Sequence, residues 1–137
     1  MVTSMTVSTV NEYGSEDRSW LLGPHGTDMP INVVLDVAAF DATHFAADGL
    51  VKSGTVLAKI TASGLYGPYT TADSTTGLGV AVGLLFNTVS LPASGTVADA
   101  ALTHCAVKVA RLPYADDEDG GLDAGARTDL KLINFVD

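Results

Sequence analysis

The sequence contains a single cysteine, Cys105, and no long run of apolar residues. One cysteine excludes a disulfide within the chain and suits synthesis in a reducing cytoplasm. The longest apolar stretch covers only residues 80–86, whereas a membrane-spanning helix needs about 20 residues. No basic segment followed by an apolar run opens the sequence, so we expect no signal peptide. We therefore expect neither a disulfide-stapled domain nor a membrane protein.

Basic residues are also scarce, with 7 Lys and Arg against 16 Asp and Glu, which leaves a formal net charge of −9. Binding to a nucleic-acid backbone requires clustered positive charge to neutralise the phosphates, so we expect no nucleic-acid partner. Aromatic residues make up only 7% of the chain, whereas Ala, Val and Leu are abundant and 14 glycines are present. This composition favours β structure with tight turns.

The 137 residues predict one domain, preceded by an N-terminal arm and closed by a tail. Residues 31–111 contain the strand-like segments INVVLDVAAF, GTVLAKITA, GLGVAVGLLFNTVSL and ADAALTHCAVKVARL, with residues 64–77 as a polar connection. Short strands separated by Gly and Pro, without a long 3.6-residue period, predict a mainly β fold. In the tail, residues 112–137, Asp123 is placed to cap a short helix, AGARTDLKL, before a closing strand, LINFV.

Residues 1–30 form the predicted arm, and we expect it to be mobile in the free protein from Met1 to about Thr27. The segment VTSMTVSTV alternates as a strand does, yet no turn pairs it with a neighbouring strand. Glycines and prolines interrupt the remainder of the arm. Fully extended, residues 1–22 would reach about 70 Å at roughly 3.3 Å per residue. An extended peptide of this kind can add a strand to the sheet edge of a partner.

Patterns typical of cofactor binding are incomplete in this chain. Gly77, Gly79 and Gly83 approach the G-x-G-x-x-G fingerprint, but the third glycine is one residue late and no helix is predicted to follow. We interpret them as strand glycines that allow close approach of neighbouring backbone. Residues 115–126 resemble a calcium loop, but alanine occupies its first and twelfth positions. A solvated acidic loop is the interpretation that we adopt.

Zinc and hydrolytic sites also lack a supporting pattern. His25, His44, His104 and Cys105 carry groups that ligate zinc. Neighbouring residues of a strand point to opposite faces, however, so His104 and Cys105 are not placed to share an ion. The sequence has no G-x-S-x-G nucleophile elbow. We therefore predict a protein that is not an enzyme, with no catalytic residue, metal or cofactor.

Several of the remaining segments together resemble the head decoration proteins of tailed bacteriophages, the lambda-type proteins that stabilise the capsid. The resemblance covers residues 35–136. It rests on GTVLAKI, on GLYGPY at residues 64–69, on TGLG and AVGLL at residues 76–85, on the strand at residues 104–112 and on the ending DL…INFV. It implies a compact β-rich domain, β-clip or β-tulip-like, with a short C-terminal helix and a flexible extended arm.

The resemblance also implies a function, that of a cement protein. It implies a homotrimer, made in the host cytoplasm, that binds the major capsid protein on the exterior of the expanded head. There it would stabilise the shell against the pressure of packed DNA, with no membrane partner. The arm would be the capsid-binding element, through candidate contacts at Val2, Met5, Val7, Val10, Tyr13, Trp20, Leu21 and Leu22.

The sequence allows two interpretations of Trp20 and two of a group of four other apolar residues. Trp20 is either an anchor for the capsid, since Trp is enriched in binding hot spots, or part of the core of its own body. Val80, Val82, Leu84 and Phe86 alternate onto one face of a predicted strand, where they serve either the core or the seam between protomers.

Two alternative functions stay open at this point. GTVLAKI before a Gly-rich hairpin also resembles biotinyl and lipoyl carrier domains, which need an acceptor lysine at a tight turn. Lys59 falls inside a predicted strand, and Lys52 and Lys108 lack the usual flanking pattern. The other alternative is a small β-rich ligand-binding or enzymatic module, which a concave polar pocket would favour.

Overall fold

The computed structural model of the chain describes residues 16–41, 44–45, 50–71 and 73–137. Within these ranges the strands are β1 (Ile31–Asp36), β2 (Leu50–Val51), β3 (Val56–Lys59), β4 (Tyr66–Pro68), β5 (Ala81–Leu85), β6 (Val89–Ser90), β7 (Thr96–Leu102), β8 (Ala106–Lys108) and β9 (Asn134–Val136). One α-helix, α1, spans Ala124–Asp129, and 3₁₀ turns span Val37–Ala39 and Val109–Arg111. The predicted mainly β class with a short C-terminal helix is confirmed. Within these ranges, no helix has the length and apolarity required to cross a bilayer.

Five strands close into a barrel in the order β1-β4-β3-β5-β7. Most neighbours are antiparallel, but β1 and β4 run parallel, with Leu35 opposite Tyr66. Every barrel strand contributes to one apolar cluster, which therefore fills the interior. Its buried members are Val33, Leu35, Phe40, Phe45, Val51, Leu57, Leu85, Val89 and Ala101, with Tyr66 of β4 packed against them.

A second apolar cluster covers the opposite face of β3, β5 and the end of β7. Parallel strands β8 and β9 and helix α1 lie over this face. The cluster comprises Trp20, Val56, Ala58, Tyr69, Ala81, Leu84, Leu102, Cys105, Val107, Leu122, Ala126, Leu130 and Ile133. Because β3 and β5 bury side chains on both faces, their sequences read as continuous apolar runs and not as alternation.

The helix forms where its cap was predicted. Asp123 Oδ1 accepts a hydrogen bond of 2.8 Å from the backbone N–H of Ala126, which satisfies one of the free donors of the first turn. The helix ends at Asp129, earlier than the segment AGARTDLKL suggested. A turn then leads directly into β9, which confirms the predicted closing strand.

Two predicted long strands are each divided in two. GLGVAVGLLFNTVSL yields β5 and β6, and ADAALTHCAVKVARL yields β7 and β8, separated at residues 103–105. The second break lets β7 remain in the barrel while β8 pairs with β9 outside it. The polar connection, residues 64–77, contains the short strand β4, which the sequence did not predict.

Candidate interaction surfaces

Residues 16–22, which we call the strap, lie against the body of the protein. Leu22 N donates to Ala106 O at 3.0 Å, and Lys108 N donates to Trp20 O at 2.7 Å. These bonds place the strap beside β8 on the edge opposite β9. Of the candidate arm residues, Val2, Met5, Val7, Val10 and Tyr13 lie outside the described residues, whereas the three of the strap are placed.

Trp20 belongs to the core of its own body. Its side chain is 1% exposed, and its Nε1–H donates to Ser53 Oγ at 3.2 Å. Ser53 in turn donates to Phe86 O at 2.7 Å. Gly54 allows the ring to approach, because its φ is +94° and a Cβ there would lie 2.9 Å from Trp20 Nε1. Of the two interpretations of Trp20, the structure matches packing on the body, and in this conformation the indole is not accessible to a partner.

Arg18 fixes the start of the strap. Its guanidinium lies 4.2 Å from the centre of the Phe86 ring, and its Nε donates to Phe86 O at 3.0 Å. The same side chain forms a 3.0 Å ion pair with Glu16 and a hydrogen bond to Asn87 Oδ1. The ion pair is partly exposed and contributes at most about 1 kcal/mol. Together these contacts hold the first residues of the strap against the body.

The four residues assigned to one strand face do not share a face. The β3–β5 register shifts between Leu57, opposite Gly83, and Ala58, opposite Ala81, so Val82 is the extra residue of a β-bulge. Leu84 lies in the outer cluster with 0% exposure, and Phe86 packs against that cluster. Val82 instead packs against the barrel interior.

Val80 precedes β5 and is 57% exposed. It is therefore the most exposed member of this set. Other large apolar side chains with high exposure occur in several elements: Leu22, Met29, Val34, Leu50, Leu132 and Val136.

The polar connection is organised around Asp73. Its carboxylate accepts hydrogen bonds from the Thr76 hydroxyl and from the backbone N–H groups of Thr76 and Thr75, at 3.0 and 2.8 Å for the latter two. These bonds stabilise the ionised form and lower the pKa of Asp73 to about 2, the Thr76 hydroxyl contributing most. Gly79 packs against this turn, since a Cβ there would lie 2.0 Å from Asp73 O. Residues 73–79 therefore form a hydrogen-bonded turn at the surface.

The glycines that approached a dinucleotide fingerprint have structural roles. Gly83 lies inside β5, and a Cβ there would lie 2.9 Å from Leu102 O of the neighbouring strand. Gly77 has a φ of +100° and packs on Lys59 O. Strand β5, and not a helix, follows Gly77 and Gly79. The predicted close approach to neighbouring backbone is confirmed for all three glycines, but the prediction that they lie in a strand holds for Gly83 alone, because Gly77 and Gly79 lie in the turn before β5.

Potential metal ligands lie apart, with one exception that the sequence did not reveal. The described residues contain no group of three or more His, Cys, Asp or Glu side chains placed to hold an ion. Cys105 is buried, and desolvation raises the pKa of its thiol to about 11. His25 and His104, however, meet across 79 positions of sequence with Nε2 atoms 3.4 Å apart. No local spacing signals such a contact.

Comparison with known proteins gives one match. The model of the family described as bacteriophage lambda head decoration protein D matches residues 34–135, about three quarters of the chain. No curated protein and no solved structure matches. The matched range contains all of the barrel except the first residues of β1, together with β8, α1 and part of β9. The chain therefore belongs to the bacteriophage lambda head decoration protein D family and is a phage head decoration protein, a structural component of the virion capsid.

Proposed function

We propose that this protein binds as a homotrimer to the exterior of the expanded phage head, on the major capsid protein, and stabilises the shell against packed DNA. The family match over residues 34–135 carries the proposal. We further propose that the chain is made in the host cytoplasm, acts without enzymatic activity, and binds neither nucleic acid nor membrane. The net charge of −9 supports the absence of a nucleic-acid partner.

The capsid-binding element is confined to residues 1–15 in this proposal, because residues 16–22 are engaged with the body as the strap. Fifteen extended residues span about 50 Å at roughly 3.3 Å each. Val2, Met5, Val7, Val10 and Tyr13 are its candidate contacts. Leu22 is 49% exposed and offers a further apolar contact at the foot of the arm, whereas Trp20 acts indirectly by holding the strap.

Three arms on one trimer would compensate for weak binding by each. Ordering an extended peptide on a partner costs conformational entropy, which reduces the affinity of a single arm. Linking three arms through one trimer raises the effective concentration of the second and third, with a gain in avidity of about 10²–10⁴. A rigid attachment of each arm through Arg18 and Trp20 supports this gain, since it restricts where each arm begins.

Deletion of the arm tests the capsid contact. A variant lacking residues 1–15 keeps the strap, so we expect the same thermal unfolding as the full chain and no sedimentation with expanded heads. The full chain serves as the positive control. Full decoration by the deletion variant would refute the assignment of binding to this segment.

The homotrimer is tested by light scattering after size-exclusion chromatography, where we expect three times 14.1 kDa. Within the trimer we place Val80 at the seam because it is exposed immediately before β5, whose apolar side chains pack within their own chain. Val80→Glu should yield a folded monomer. Leu132→Glu, at a residue that is 66% exposed in the turn between α1 and β9, is the matched control and should stay trimeric. A trimer that survives Val80→Glu would exclude this seam.

A further inference from the structure

Two histidines from distant parts of the chain lie against each other at the surface. His25 lies in the turn between the strap and β1, and His104 lies in the connection between β7 and β8. Their Nε2 atoms are 3.4 Å apart, and their rings meet edge to face with centroids 4.5 Å apart and planes inclined at 69°. His25 is exposed and His104 is half-buried, so solvent reaches the pair.

The backbone holds the pair together through a glycine. Residues 24–27 form a turn in which Thr27 N donates to Pro24 O at 3.1 Å and Gly26 has a φ of +78°, as the third position of a type II turn requires. A Cβ on Gly26 would lie 1.5 Å from His104 O. Only glycine therefore lets the turn press His25 against His104.

The distance between the two nitrogens matches the separation of two ligands on one metal ion. With Zn–N bonds of about 2.0–2.1 Å and tetrahedral angles, two ligating nitrogens lie about 3.3–3.4 Å apart. We propose that His25 and His104 together bind a divalent transition-metal ion of the zinc class, with water completing the coordination. Imidazole nitrogens suit zinc, copper and nickel, whereas magnesium and calcium prefer oxygen ligands.

The surroundings of the pair suit an open site with two protein ligands. An open groove of about 690 Å³, lined by Leu22, Gly23, Pro24, Thr27, Asp28 and Ala106 together with His25, adjoins it and leaves room for several waters. Cys105 does not take part, because its thiol is buried in the outer cluster. A bound ion would join the turn at residues 24–27 to the β7–β8 connection and so hold the end of the strap against the body.

Calorimetric titration of the full chain with zinc chloride tests the site. We expect saturable binding, weakened at least about tenfold in His25→Ala and in His104→Ala, since even loss of an outer-sphere partner costs about 10–100-fold. His44→Ala removes the third histidine of the chain, which contacts Asp119 O elsewhere, and should bind zinc like the original. Excess magnesium should not compete with zinc for the histidine pair. Zinc bound by the carboxylates of the acidic loop at residues 115–119 would be displaced, so this competition distinguishes the two sites.

One further variant tests whether zinc binding depends on the contact between the two histidines and not only on their presence. Gly26→Ala keeps both histidines but forces the turn away from His104, so it should lose affinity as much as either alanine variant. If Gly26→Ala fails to fold, the thermal midpoint supplies the second measurement. It should rise with zinc for the original chain and for His44→Ala, and stay unchanged for His25→Ala and His104→Ala. No saturable binding up to about 1 mM zinc, or equal loss in His44→Ala, would overturn the proposal and leave two hydrogen-bonded imidazoles.

Discussion

Truncation of Trp20 measures how firmly the strap belongs to the body. The side chain is 1% exposed and packs in the outer cluster, and replacement of a buried Trp by Ala costs about 3–5 kcal/mol. Ser53 keeps its bond to Phe86 O in the variant, so no additional buried hydroxyl is left without a partner. Because a domain of this size is stable by about 5–15 kcal/mol, Trp20→Ala should remove a large share of the free energy of unfolding.

Urea denaturation monitored by far-UV circular dichroism measures this loss of unfolding free energy directly. Leu22→Ala is the matched control, since Leu22 lies in the same strap but is 49% exposed, and its effect should stay within about 0.5 kcal/mol. Original chain and variants should be compared at equal concentration, because assembly adds to the apparent stability.

The chain contains one tryptophan, so the fluorescence of the unmodified protein reports on the same contact. We expect an emission maximum typical of a buried indole and little quenching by acrylamide until the protein unfolds. A loss below about 1 kcal/mol for Trp20→Ala, together with free quenching of the native protein, would refute the packing of the strap. Trp20 would then be assigned to the capsid-binding arm and not to the core of the body.

Three further experiments test other parts of the fold. Leu84→Ala should cost about 2–5 kcal/mol because Leu84 is fully buried, whereas Val80→Ala at an exposed position should stay within about 0.5 kcal/mol in urea denaturation; equal losses would contradict the bulged register. The pKa of Asp73 is lowered from 3.8 to about 2, so its ionised form stabilises the fold above pH 4 and this contribution disappears as the pH falls towards 2. Asp73→Asn should therefore flatten the acid side of the stability profile measured by thermal unfolding, and an unchanged slope would contradict the loop geometry. The thiol of Cys105 has a pKa raised to about 11 by burial, so it should react with a disulfide reagent only after unfolding, and rapid labelling of the native protein would contradict its burial.

The parts of the fold that the sequence predicted are those set by local chemistry. Asp123 and the residues after it define a helix cap, and α1 begins where the cap was expected. GTVLAKITA and INVVLDVAAF carry the β-branched residues that favour strands, and β3 and β1 lie within them. The helix is shorter than its segment because the chain must turn at Leu130 to bring β9 beside β8.

The parts that the sequence did not predict depend on contacts between distant residues. The alternation of Val80, Val82, Leu84 and Phe86 suggested one shared face, but the bulge at Val82 exchanges the two faces of the strand. A bulge is set by the partner strand and leaves no periodic signal of its own. Closure of the barrel through the parallel contact of β1 and β4, and the meeting of His25 with His104, are likewise products of topology.

The strap also determines how force on the arm would reach the body. The contacts of the strap can be ranked by the free energy that each contributes. If residues 1–15 hold the capsid, tension enters at Glu16 and runs along the strap. The two backbone bonds to β8 contribute about 1 kcal/mol each, and each bond of the Arg18 guanidinium to Phe86 O or to Asn87 contributes about 1.5–3 kcal/mol. Burial of Trp20 exceeds each of them at about 3–5 kcal/mol. Burial of the indole is therefore the largest single contribution that holds the strap against the body.

This ranking predicts an effect on decoration at a residue that touches only its own chain. Below its unfolding temperature, Trp20→Ala should decorate expanded heads more weakly than the original chain although residues 1–15 are intact, because a loosened strap no longer restricts where the arm begins. Trp20→Phe keeps an aromatic ring in the core and should retain most of the decoration measured by sedimentation with heads. Equal decoration by Trp20→Ala and the original chain would show that the arm acts independently of its attachment, and the strap would then be an element of stability alone.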